Sequence, residues 1–273
     1  MKSSHARKDR RLTVETLETR QLMAGDVKVA FNSGDVVITG DNASNSVEIY
    51  QTSLDTYKVI GRTAGNSATK INGRVGGSFT FTLNGGKFTD DIIVNMNGGD
   101  DRINIHGSSA EYYDIDAHDE IFINMGSGND EVRLENVETG GDLVIDLGTG
   151  RDSIWAGPLD IGDDLIVTKS GKSGAIVDSA AIVFGETFVH DDFKITLNNS
   201  VDTVNIVNSA ADDLFVSLGN GNDALNINKS RARRTSLLDG GSGDDRLNLF
   251  GNYTSFKTTS FRNPTAINQE FLY

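Results

Sequence analysis

The sequence predicts an all-β fold: a parallel β-helix, or β-solenoid, of about seven to eight coils with a glycine-aspartate turn in each regular coil. Three observations predict it. A five-residue turn, Gly-x-Gly-x-Asp, occurs at Gly126–Asp130, Gly148–Asp152, Gly219–Asp223 and Gly241–Asp245, with looser copies ending at Asp101 and Asp202. Its spacing is regular, since Asp130 and Asp152 lie 22 residues apart, as do Asp223 and Asp245. A period of this size marks a chain built by stacking one short unit on the next. Apolar residues also alternate with polar ones on both sides of each turn, the rhythm of strands with one face inward.

The elements follow in chain order. Residues 1–25 form a basic leader, with Lys2, Arg7, Lys8, Arg10, Arg11 and Arg20 against Asp9, Glu15 and Glu18. Glu15 and Glu18 interrupt the apolar core of about 7–15 residues that a secretory signal needs, so on physics alone this is a short amphipathic segment. Residues 26–252 form the solenoid. Its first coil starts at Val36, Ile38, Val47 and Ile49 if Asn45 stands in the aspartate's place. An insertion at 51–89, carrying Tyr57–Ile60 and Phe79–Leu83, is a further coil or a side hairpin.

With the turn aspartate as position zero, positions −9, −7 and −5 are apolar coil after coil, as in Ile121, Ile123 and Met125 or Leu143, Ile145 and Leu147. Positions +2 and +4 repeat the pattern, as in Val132 and Leu134 or Leu225 and Ile227. Each coil thus has two inward-facing strands joined by the turn, plus a short return such as 135–141. A single coil cannot bury its own apolar face; stacking at about 4.8 Å does so. The coil after Asp164 is irregular, because Lys169 falls at an inward position. Residues 253–273 form a tail whose Phe256, Phe261, Phe271 and Tyr273 suit a cap over an otherwise open ladder end.

Charge and composition narrow the function. The net charge is −14, and the leader's surplus of three positive charges leaves −17 for the rest. Such a body repels nucleic acid and anionic lipid and attracts cations. There is no cysteine, hence neither a disulfide nor a thiolate metal site. No apolar run of about 18 residues exists, so no membrane-spanning helix is expected.

Two resemblances add to this reading. The string Arg10-Arg11-Leu12 … Leu17-Glu18-Thr19-Arg20-Gln21-Leu22-Met23-Ala24 resembles the N-terminal leader of exported and surface proteins of planctomycete bacteria. That resemblance implies export to the cell surface or the extracellular space. The turns resemble the hemolysin-type (RTX) calcium-binding nonapeptide, which Gly240–Asn248 matches in full. Calcium in that family sits between turns of successive coils on carboxylates and carbonyls. Carried over, Asp130 with Asp152, and Asp223 with Asp245, become the metal ligands and calcium the cofactor. Here, however, one such turn occurs per coil instead of one every nine residues, which leaves fewer acids around each gap. The plain alternative is a tight turn whose aspartate caps backbone N–H groups.

Other features carry less. Outward position −8 reads Val37, Ile93, Phe122, Val144, Ile166, Lys194, Phe215 and Leu237, an apolar stripe that meets a cell-surface polysaccharide or protein partner, or is covered by the chain itself. Asn104, Asn205, Asn226 and Asn248 form an asparagine column at +3 that reads as structural. His118-Asp119-Glu120 and His190-Asp191-Asp192 look like metal fragments but lie three coils apart, roughly 14 Å, and read as solvated turns. Gly171-Lys172-Ser173 lacks the first glycine of a phosphate loop. Arg231–Arg234 is a basic knob read as an exposed loop.

The function these features predict is a non-enzymatic, exported structural or adhesion module, calcium-stabilised at its stacked turns. The alternative is a β-helix polysaccharide lyase or hydrolase, whose best residues would be Asp163, Asp164, Asp191, Asp192, Asp212 and Asp213.

Overall fold

The computed structural model describes residues 25–32, 34–53, 56–64, 67–82, 91–107, 115–117, 119–170, 178–252, 256–261 and 265–267. Leader residues 1–24, His118, Gly171–Ser173, Phe271 and Tyr273 lie outside them. The described chain is all-β, with no helix, and is dominated by two long parallel ladders, consistent with a β-helix.

The strand before each turn joins one ladder. Its members run Asp35–Thr39, Ile92–Asn95, Ile121–Asn124, Leu143–Asp146, Leu165–Thr168, Asp192–Thr196, Ala210–Ser217 and Arg231–Asp239. The strand after each turn joins the other, from Ser46–Ser53 through Arg102–His106, Glu131–Glu135, Arg151–Ala156, Ser179–Gly185, Thr203–Val207 and Ala224–Asn228 to Arg246–Phe250. The return is itself a short strand: Ile115–Ala117, Val137–Thr139, Leu159–Ile161 and Thr187–Val189 pair in parallel one above another. In the last two coils, return and turn-entry strand fuse into one, with a register shift between Ala211 and Asp213.

Register is set by like stacking on like. Ile123 pairs with Val94 on one side and Ile145 on the other, and Val132 lies between Ile103 and Ile154. These side chains are buried, and each contributes about 1.5–3 kcal/mol on leaving water. A slip by one residue would turn every one of them outward, which pins the register.

The corners hold the stack together through side chains. Between turn-exit strand and return, a residue with positive φ recurs at Asn136, Gly157, Glu186, Asn208, Lys229 and Gly251. Just after it, the amides of Thr187, Ser209 and Ser230 bond the side-chain oxygens of Ser209, Ser230 and Asn252 in the next coil. Where the return meets the turn-entry strand, Asp91, Asp142 and Asp164 accept the amides of Glu120, Asp164 and Asp192. Arg231–Arg234 belongs to a strand, not to a loop, and Arg233 and Arg234 reach the aspartates of this corner.

The first end of the stack is closed by a change of strand direction. Asp26–Asn32 pairs antiparallel with Asp35–Thr39; Thr56–Gly61 pairs antiparallel with Ser46–Ser53, and Ser78–Thr82 with Thr56–Gly61. Phe81 stacks on Phe31 at 5.1 Å and on Tyr57 at 5.7 Å between ring centroids. At the other end Thr258–Thr259 and Thr265–Ile267 add to the two ladders, with Phe256 buried and Phe261 packed on the core.

Candidate functional site

The Gly-x-Gly-x-Asp turns stack directly. Thr149 bridges Ser127, which bridges Gly98, and Ser242 bridges Asn220. Both glycines are required by this stacking. Gly150 has φ +125, and a Cβ placed on it would stand 1.7 Å from the Gly128 carbonyl oxygen of the coil before.

Beneath the turns runs a column in the order Asn45, Asp101, Asp130, Asp152, Ala180, Asp202, Asp223, Asp245, and its aspartates are buried. Each carboxylate reaches back along the axis. Asp101 Oδ1 accepts the amide of Asn45 at 2.7 Å, Asp130 that of Asp101 at 2.8 Å, and Asp152 that of Asp130 at 2.9 Å. Asp202, Asp223 and Asp245 do the same for Ala180, Asp202 and Asp223, at 2.6, 2.8 and 2.9 Å. The turn aspartate therefore is a cap on a backbone N–H, one coil away from its own turn.

The second oxygens divide the column. Oδ2 of Asp101, Asp130, Asp223 and Asp245 is buried without a hydrogen bond. A buried carboxylate with an orphaned oxygen is costly when charged. Burial, with the neighbouring aspartates adding repulsion, pushes Asp101 up to about 8 and Asp130 and Asp223 up to about 7. In the middle of the column the chain supplies partners. Lys169, fully buried, ion-pairs with Asp152 Oδ2, donates to the Gly150 carbonyl at 2.7 Å, and stands 3.8 Å from Asp178. Ser200 Oγ lies 2.9 and 3.1 Å from the two oxygens of Asp202.

Of the four aspartates proposed as metal ligands, Asp223 with Asp245 and Asp130 with Asp152 do neighbour each other across one coil. The orphaned oxygens of Asp130, Asp223 and Asp245 are the hard, anionic donors calcium takes. Asp152 is the exception, its second oxygen being held by Lys169. Lys169 is what sequence reasoning missed: its inward position was visible, but Asp178, its second partner, lies outside the repeat frame.

A second carboxylate group stands at the corner before the turn-entry strand. Ligand atoms of Asp163, Asp164 and Asp191 lie within 4.8 Å of one another, as do those of Asp191, Asp192 and Asp213. Lys194 bonds Asp164 at 3.2 Å and Asp192 at 2.5 Å; Arg234 pairs with Asp191 and Asp213, and Arg233 with Asp212 at 3.1 Å. The like charges of Asp142, Asp164, Asp191 and Asp192 push Asp163 upward. His190 faces Asp160 at 2.9 Å.

The stripe at −8 is one column in register, from Val37 through Ile93, Phe122, Val144, Ile166, Lys194 and Phe215 to Leu237. All its members are partly exposed. Of the asparagine column, Asn226 bonds Asn205 at 2.9 Å and Asn248 bonds Asn226 at 2.6 Å.

Residues 8–27 match the model of a family described as Planctomycete extracellular. The protein is exported and extracellular. The matched residues contain the leader string at 10–24. No curated protein and no solved structure matches the exported chain. Among its described residues no helix is long and apolar enough to cross a membrane.

Proposed function

We propose that this exported chain is a parallel β-helix of eight coils that serves as a non-enzymatic surface or extracellular structural and adhesion module, with calcium bound on its stacked turns. The observation that carries the reading is the column of six buried aspartates, four of them with an orphaned oxygen. Asp223 with Asp245, and Asp130 beside Asp152, would hold the ion. Its chemistry there is electrostatic: a divalent charge relieves the repulsion and desolvation of paired carboxylates. Lys169 offers an internal parallel, a cation seated on one turn carboxylate and one turn carbonyl.

Thermal melting with and without calcium at pH 8 tests this. Calcium at a hundredfold excess over its Kd is expected to add about 2.7 kcal/mol. No upward shift at millimolar calcium removes calcium from the reading.

The corner carboxylates Asp163, Asp164, Asp191, Asp192 and Asp213 favour a second reading, a polysaccharide lyase or hydrolase. The pairing of Asp164 and Asp192 with Lys194, and of Asp191 and Asp213 with Arg234, weighs for a braced corner instead. Release of unsaturated or reducing ends from acidic polysaccharides would decide for the enzyme.

A further inference from the structure

The outer face of the turn-exit ladder carries a second kind of site. Arg62, Arg102 and Arg133 line a depression of about 210 Å³ together with Glu48 and Asn104. Three arginines around one hollow are out of keeping with a chain of net charge −14. Register places Glu48, Asn104, Arg133 and Trp155 in one outward column on four successive strands. That column is roughly 14 Å long at the strand spacing. Trp155 is the chain's one tryptophan and is 50% exposed. Beyond Val183 the column continues as the bonded asparagines 205, 226 and 248.

The guanidinium groups are held in place. Glu131 pairs with both Arg102 and Arg133, and Glu48 pairs with Arg62. Glu48 also meets His106 Nε2 at 2.8 Å, whose ring stacks on Tyr50. Each arginine uses one nitrogen in these pairs, and its other N–H groups bond no described residue. A braced guanidinium with a free edge is a bidentate receptor for a carboxylate. A flat indole beside it offers an apolar platform for one face of a sugar ring, while a row of carboxamides can both donate to and accept from hydroxyls.

We propose that this face binds an acidic polysaccharide, a polyuronate laid along the ladder with carboxylates on Arg102 and Arg133 and a ring on Trp155. The proposal deepens the adhesion reading and rests on it. A linear polymer is the occupant that matches unlike receptors set in line at one strand spacing. The amide row suits a polyhydroxylated ligand better than an acidic peptide. The carboxylates of this site do not suit hydrolysis: burial pulls Glu48 and Glu131 upward, but their hydrogen bonds from Arg62, His106, Arg133 and Arg102 outweigh it and leave both lowered. Glycoside hydrolysis needs one carboxyl kept protonated.

The test titrates the full chain with polygalacturonate in calcium-free buffer and follows the fluorescence of Trp155, with dextran and polyglutamate as comparators. A saturable change with polygalacturonate alone is expected. It should weaken at least tenfold in Arg102→Gln/Arg133→Gln and persist in Arg233→Gln/Arg234→Gln. Trp155→Thr, at an exposed strand position, keeps the fold and should lose most of the affinity by calorimetry, which decides the matter if the arginine variant unfolds. No response to polygalacturonate, an equal response to dextran or polyglutamate, or full affinity in Trp155→Thr overturns the site. A chain that adheres to cell surfaces yet ignores polygalacturonate ends this site and spares the adhesion reading. Release of reducing ends with binding intact supports the site and ends the non-enzymatic reading.

Discussion

Around Asp152 the turn column contains its own counter-ion, whereas around Asp223 and Asp245 no described residue supplies one. In the first stretch Lys169 replaces the leucine or methionine that most other coils place before the turn and pairs with Asp152. In the second, two buried carboxylates each cap an amide with one oxygen and leave the other bare. The backbone pattern is shared, so the difference separates what the turn needs from what its charge needs. The cap needs one oxygen. The charge needs a proton, a lysine or a metal ion.

Removing the lysine should give the largest effect. Lys169→Met restores the apolar pattern of the other coils but strands Asp152 and Asp178 without a cation. Breaking a buried pair from one side costs about 3–5 kcal/mol, read by urea unfolding at pH 7. The double variant Lys169→Met/Asp152→Asn should recover most of that loss, because the asparagine oxygen still accepts the Asp130 amide. Failure to recover would mean that Lys169 acts through packing and not through charge.

The uncompensated stretches should respond to pH in the opposite sense from an ordinary salt-bridged carboxylate. Asp101, held at about 8, and Asp130 and Asp223, at about 7, lie above the free value of 3.8. The fold therefore prefers their neutral forms. Their contribution is complete below about pH 4 and is lost as the pH rises through 7 to 8 in calcium-free buffer. Asp223→Asn keeps the cap and removes the charge. It should raise stability at pH 8 by about 1–3 kcal/mol, flatten the pH profile and blunt the calcium shift at that end. A variant less stable than the parent at pH 8 would show that Asp223 is content as an anion.

Much of this column was legible in the sequence, and the reasons are specific. The turn motif gave position zero, and alternation on either side named the buried residues of both ladders, because a strand's period of two is unambiguous when one face is dry. Asn45 could be placed in the column although it is no aspartate, since its flanking Val36, Ile38, Val47 and Ile49 kept the frame. What stayed hidden depends on neighbours from other coils. That Asp130 caps the amide of Asp101, or that Ser230 caps Ser209, needs the axial offset between coils, which no single repeat encodes. The antiparallel end built from Asp26–Asn32 and Thr56–Gly61 breaks the repeat, so its register could not be extrapolated from the coils that follow it. Arg102, Arg133 and Trp155 occupy the +1 and +3 places of three consecutive coils, yet a column of unlike residues has no repeat to announce it.

A glycine pair, whose second member should give the smallest effect of all, asks whether the turns or their carboxylates set the coil spacing. Gly150 and Gly185 belong to successive coils, and only the first lies under a stacked turn. A methyl on Gly150 would press on the Gly128 carbonyl at a φ that L-residues rarely adopt, whereas nothing lies within 4 Å of one on Gly185. Gly150→Ala should cost about 2–3 kcal/mol, and Gly185→Ala should be neutral to within about 0.5 kcal/mol. The loss at Gly150 should be nearly the same at pH 5 and pH 8, because the clash with the Gly128 carbonyl is steric even though Gly150 also bonds Asp178 and Lys169, which sets it apart from the pH-dependent change at Asp223. A loss that grew with pH would mean that the glycine turn acts by positioning the carboxylates, with the charge column and not the backbone contact governing how closely successive coils approach.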